Sequence, residues 1–124
     1  MNQLLAIALG GAAGAVLRFV MSTGIHRLAG RDFPYGTLSV NVLGSLLMGF
    51  LYILLIERAT VSSEWRAVLL IGFLGSFTTF STFSMETLNL LENGEVLRAG
   101  VNVLLSVTLC LLAAGSGVFV GRQL

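Results

Sequence analysis

The residues able to do chemistry in this 124-residue chain are few and sit inside otherwise apolar stretches. Thr37, Asn41, Ser45 and Gly49 recur at every fourth position, so on a helix they form one stripe. Asn41 is the most polar group deep in its stretch. A second block runs from Gly72 through Phe73, Leu74, Gly75, Ser76, Phe77, Thr78, Thr79, Phe80, Ser81, Thr82 and Phe83 to Ser84, with Glu86 one turn beyond Thr82. Phe80 and Phe83 share a helix face, with Ser81, Thr82 and Ser84 on adjoining faces. An aromatic ring has a positive edge as well as a negative face, so ring edges beside hydroxyl and amide donors can replace part of a small anion's hydration. Packing is the competing reading, because small and hydroxyl residues at this spacing commonly let membrane helices approach and hydrogen-bond.

Gly75 with the β-branched Thr78 and Thr79 is a weak place for a helix. A break there, in the middle of a membrane, frees backbone carbonyls that lipid cannot satisfy, and these are tolerated only if buried or bound. A desolvated cation held at a twofold axis between two chains meets that need; an unbroken helix whose hydroxyls bond back to its own carbonyls is the alternative. Glu86 is the one carboxylate placed inside a span, which makes it a functional candidate, with an interfacial Glu near a helix end as the plain reading. Arg18 stays protonated and must snorkel, pair or face a water-filled vestibule, where it would attract anions. Asn102, Ser106 and Cys110 again repeat by four and give a second polar stripe.

The elements that position these groups follow from composition. The chain is 56% hydrophobic and 10% charged, with a mean hydropathy of +0.93, against about 25% charged residues in soluble domains. So little charge calls for a lipid-facing surface. A span needs about 20 mostly apolar residues to cross roughly 30 Å of hydrocarbon. Four segments qualify: Leu4 to Met21 (extending to Leu28 at most), Phe33 to Ile56, Ala67 to Leu91, and Ala99 to Gly121. Short charged hairpins join them, with Asn93-Gly94 as a turn signal. The expectation is one all-α transmembrane domain over 1–124. The first stretch lacks the positive n-region of a signal peptide and is read as a mature helix.

Small residues mark where helices meet. Gly10 and Gly14 form GxxxG, and Ala113, Gly117 and Gly121 make a second small-residue face, both read as packing. His26 and Trp65 fall at the expected interfaces. All seven basic residues are arginines. With four spans, Arg58, Arg66 and Arg122 fall on one side, and Arg27, Arg31 and Arg98 on the other, with Arg18 if it reaches that interface. So even a count gives no positive-inside bias. Insertion both ways up follows, and with it an antiparallel, dual-topology homodimer; a fixed orientation set by weak signals is the alternative.

Several classes drop out. A net charge of +1 with no basic run gives nucleic acid no purchase. One cysteine, Cys110, allows no intrachain disulfide and reads as a packing residue. No nucleophile, base and orienting group occur together as an enzyme would need. A small dual-topology multidrug exporter is the rival transporter, but such exporters place a carboxylate in the first helix, and Leu4 to Leu17 holds none. A non-transporting assembly subunit would leave Asn41 and the Phe80/Phe83 pair unexplained.

Along essentially its whole length the chain resembles the bacterial CrcB/Fluc fluoride channels. The likeness rests on Gly10 to Gly14 followed by Arg18, on Gly36-Thr37-Leu38-Ser39-Val40-Asn41-Val42-Leu43-Gly44-Ser45, and above all on Gly72 to Ser84. The resemblance implies an antiparallel homodimer in the bacterial inner membrane with two fluoride pores, whose third helix breaks at the membrane centre around a structural sodium ion. It implies sodium ligation by the backbone carbonyls of Gly75 and Thr78 of each subunit. Phe80 and Phe83 would turn ring edges to fluoride, and Asn41 would donate an amide N–H to it. Ser81, Thr82, Glu86 and Ser106 match the family's polar track, and Arg18 its vestibule arginine. The implied role is passive fluoride export.

Overall fold

In the computed structural model, which describes residues 2–124, four helices are long and apolar enough to cross a membrane: Gln3–Ala29, Tyr35–Glu57, Ser63–Glu92 and Val96–Gln123. The first, third and fourth run beyond their expected hydrophobic segments at both ends, because polar residues prolong the helix beyond the hydrocarbon, whereas the second starts two residues later than expected and ends one later. The first span is one helix, α1 (Gln3–Ala29). Its start is capped by the Asn2 carboxamide, which accepts from Leu4 N, and Gly30 ends it at φ 89°, where glycine pays no steric penalty. The second span is α2 (Tyr35–Tyr52), continued by a π-helical turn over Ile53–Glu57.

The third span is the irregular one. It opens with α3 (Ser63–Arg66), widens into π-helix over Ala67–Leu74, tightens to the single turn α4 (Gly75–Phe77), breaks, and resumes as α5 (Phe80–Glu92). At the break Thr78 (φ −88°, ψ 157°) and Thr79 (φ −151°, ψ 124°) are extended. The interruption therefore falls where the Gly75-to-Thr79 run suggested. The π-helical winding before it has no counterpart in the sequence reading. The last span is α6 (Val96–Gln123). The α5–α6 hairpin turns at Asn93-Gly94, with Gly94 at φ 78°; Gly94 N–H donates to Leu91 O and Glu95 N–H to Leu90 O, a Schellman ending.

Two seams hold the spans together, and both are made by glycine. A side chain at Gly10 would strike the Val68 carbonyl, one at Gly14 the Phe73 carbonyl, and one at Gly72 the Ile7 carbonyl, so α1 and the first half of the third span touch backbone to backbone. In the second seam Gly49 meets Ala114, and Gly117 meets Leu46, drawing α2 onto α6. Both small-residue faces thus serve packing, as expected. Val40, Ile53, Leu74 and Phe77 fill the space between and are fully buried. By contrast, only 11% of the apolar window of α6 is buried. In water that much bare apolar surface would drive association, so lipid or another apolar surface must cover it.

Candidate ion pathway

Stopping α4 at Phe77 leaves the last carbonyls of its helix without their usual partners. Two are satisfied locally: Leu74 O accepts from Thr78 N and from Thr78 Oγ1 (3.0 Å), and Ser76 O accepts from Arg18 Nε at 3.0 Å. The carbonyls of Gly75 and Thr78 accept no hydrogen bond among the described residues. On the other side of the break, Thr79 caps α5, its Oγ1 accepting from Thr82 N at 3.2 Å.

Asn41, reaching over from α2, closes the interruption. Its Oδ1 accepts from Thr79 N at 2.8 Å and its Nδ2 donates to Thr79 O at 2.9 Å. A side-chain amide here does what a neighbouring strand would do, pairing both polar groups of one peptide residue. The close approach is possible because Gly44, one turn along α2, has no side chain to strike Thr78. One Nδ2 hydrogen remains uncommitted.

Beside this clamp runs a groove of about 440 Å³ lined by Asn41, Ser45, Thr79, Phe80, Phe83, Ser106 and Cys110, among others. The Phe80 and Phe83 rings lie 5.4 Å apart at 44°, and Phe80 stands 77% exposed on the open side. Asn41 and Ser45 from α2, Thr79 from the break, Ser106 from α6 and two phenyl rings therefore line one groove. Toward one end of the spans lies a second cavity of about 310 Å³, lined by Glu86 and Asn89 of α5, by His26 of α1, and by Arg31, Asp32, Glu95 and Arg98 of the connecting segments and the start of α6. Glu86 is half-buried; its Oε2 accepts from Thr37 Oγ1 at 3.0 Å, while its Oε1 is buried with no hydrogen-bond partner among the described residues.

The residues singled out from sequence separate into groups. Asn41, Phe80, Phe83 and Ser106 come together at the groove, and Glu86 lines the second cavity. Ser81 and Thr82 gather around the Thr79 hydroxyl, Thr82 Oγ1 at 3.1 Å and Ser81 Oγ at 3.5 Å, and line neither cavity. Arg18 is held against the carbonyl of Ser76, close to the break, and the arginines that line the second cavity are Arg31 and Arg98. Of the stripe in α2, Thr37, Asn41 and Ser45 face polar groups or the groove, whereas Gly49 is packed on α6.

Three contributors escaped the sequence reading. Thr79 works through its backbone, which a side-chain survey does not register. His26 accepts the N–H of Gly36 on Nε2 at 3.1 Å, so the ring caps α2 as well as standing near an interface. Asn102, read only as part of a polar stripe, is 1% exposed, with its Nδ2 donating to Thr87 Oγ1 and its Oδ1 accepting from Ser106 Oγ. Its place in a polar four-residue repeat was the available signal.

A chain with four membrane-crossing helices, one of them unwound in mid-span, is a multi-pass membrane protein. Comparison with known proteins places it further: it belongs to the family described as CrcB-like protein, Camphor Resistance (CrcB), whose model matches residues 5–118. It is 58% identical to the fluoride-specific ion channel FluC of Methylococcus capsulatus over 98% of this chain and 54% of that protein. The chain thus spans about half the length of that relative. It is 54% and 51% identical to proteins of the same name from Coxiella burnetii and Geobacter sulfurreducens, with the full length of each chain covered.

Proposed function

We infer that this chain is a fluoride-specific ion channel. The observation that carries this reading is that Asn41, Ser106, Phe80 and Phe83 line one groove beside the break, in a chain whose relatives bear that name. Fluoride is small and strongly hydrated, so a selective passage must offer several donors in succession, each too weak to trap it. The free hydrogen of Asn41 and the positive ring edges are donors of that grade. Chloride, larger and less dependent on strong donors, gains less from them than it loses in fit.

The groove is open along one side, where Phe80 is exposed, and a second copy of the chain in the opposite orientation would close it. The arginines support that arrangement: those at the Arg31 and Arg98 end are matched in number by those at the Arg58 and Arg122 end, where Arg122 pairs with Glu57 at 3.2 Å. Unpartnered carbonyls at Gly75 and Thr78 suit a bare monovalent cation, and we assign them to the structural sodium of the dimer, one pair per subunit. Bound there, sodium supplies positive charge where helix ends leave negative dipoles. The membrane is the bacterial inner membrane, and the direction is passive export, since an interior-negative potential drives an anion outward with about 2.3 kcal/mol per charge per 100 mV.

A multidrug exporter is disfavoured, because α1 carries no acidic residue and the relatives are named as channels. The test is efflux from liposomes holding the purified protein: fluoride leaves and chloride stays. Equal efflux of the two would overturn the selectivity. Topology reporters fused at Leu124 are expected on both sides of the membrane, and a single orientation would overturn the antiparallel dimer.

A further inference from the structure

We propose that Asn102 is a positioning residue of the passage, giving the Ser106 hydroxyl a weak resting acceptor from which it turns to a passing fluoride and to which it returns. The proposal rests on the fluoride-channel reading and deepens it.

Thr87 Oγ1 donates to Phe83 O at 2.8 Å, so its only hydrogen is committed and its oxygen can only accept. It accepts from Asn102 Nδ2 at 2.9 Å. That bond settles which way the Asn102 amide faces, because the opposite flip would set its oxygen against an oxygen. Asn102 Oδ1 is thereby turned to Ser106, whose hydroxyl donates to it at 3.4 Å. The relay Ser106 to Asn102 to Thr87 to Phe83 thus runs in one direction, from a hydroxyl at the groove to the backbone of a ring that lines it.

Its first link, from Ser106 to Asn102, is the weak one. The other two bonds have ordinary lengths, whereas 3.4 Å is long for a hydroxyl donor. Asn102 is 1% exposed and Ser106 8%, so water does not readily compete for either. A hydroxyl held so loosely gives up its acceptor at little cost when an anion arrives, and reclaims it when the anion moves on. Without the Asn102 acceptor, the Ser106 hydrogen chooses between the ion and a carbonyl of its own helix, the kind of bond Thr87 makes to Phe83 O, and the share that goes to the ion rises. Fluoride would then be held harder and released more slowly, which a conducting pore must avoid.

The experiment measures fluoride efflux from liposomes against fluoride concentration, with the full-length protein and chloride efflux as control. Asn102→Leu removes the acceptor, and Thr87→Val frees the amide to flip and donate to Ser106 Oγ. Each is expected to lower the half-saturating fluoride concentration by about three- to tenfold, the worth of one neutral hydrogen bond, and to lower the maximal rate. Thr87→Ser keeps the hydroxyl and is expected to restore wild-type values. On a Ser106→Ala background, Asn102→Leu is expected to add nothing. Wild-type half-saturation in both variants, in protein that elutes as the wild type does, would overturn the proposal. So would an Asn102→Leu effect undiminished by Ser106→Ala. Should Asn102→Leu fail to fold, Thr87→Val decides alone. Wild-type protein passing both halides would instead count against the channel reading itself.

Discussion

The two halves of the third span use opposite means to stay in place. Before the break, residues 63–77 lie along α1 with no room to spare: Gly10, Gly14 and Gly72 bring backbones into contact, and Leu74 and Phe77 are buried against neighbouring side chains. After it, α5 is tied to α2 and α6 by hydrogen bonds through Thr79, Glu86 and Thr87, while Phe80 projects from the fold. The dry seam supplies rigidity through van der Waals contact, which in lipid replaces the hydrophobic drive between helices. The wet side supplies position without filling the space, so a passage remains. Substitution should therefore damage stability on one side of Thr78 and Thr79, and conduction on the other.

Breaking the dry half should have the largest effect. Gly14→Leu drives a side chain into the Phe73 backbone, which cannot yield as a flexible side chain would; overpacking here is expected to cost about 3 kcal/mol or more, read as loss of monodisperse protein on extraction. Retention of a normal elution profile would contradict the backbone contact. Next comes the clamp itself. Asn41→Ala leaves both polar groups of Thr79 without their partner, and fluoride efflux is expected to fall about tenfold or more, with the protein still assembled because the glycine seams are untouched.

Phe80→Ile should lower efflux to a similar or smaller extent and leave the fold of the single subunit intact, since within one subunit the ring is mostly exposed. A Phe80→Ile subunit that fails to fold would mean that the ring is part of its packing after all. Thr37→Val removes the hydroxyl that holds Glu86 Oε2; a few-fold change in efflux is expected, about what one ordinary hydrogen bond contributes. The mildest test compares thiols. Cys110 lines the groove and should be labelled by a small polar methanethiosulfonate reagent, slowing efflux, whereas a thiol introduced by Ala6→Cys on a Cys110→Ala background, at a fully buried position in α1, should stay unlabelled.

Much of this was legible in the residues. Four spans, the hairpin at Asn93-Gly94, the seams at Gly10, Gly14 and Gly117, and the weakness of the helix near Gly75 all follow from local composition and period, because hydropathy, glycine content and β-branching act within a few residues of where they occur. What each polar group faces did not follow. Arg18 was read as snorkelling, pairing or facing a vestibule and is bonded to Ser76; Asn41 was read as a donor to an anion and first of all pairs the Thr79 peptide; Asn102 was read only as part of a polar stripe and links Ser106 to Thr87. These assignments depend on partners 15 to 58 residues away in the chain. The sequence determined that a broken helix and a set of donors would exist in a membrane. Only tertiary packing decided which donors the break itself would consume and which were left free for an ion, because a hydrogen bond is settled by the atom that arrives opposite it.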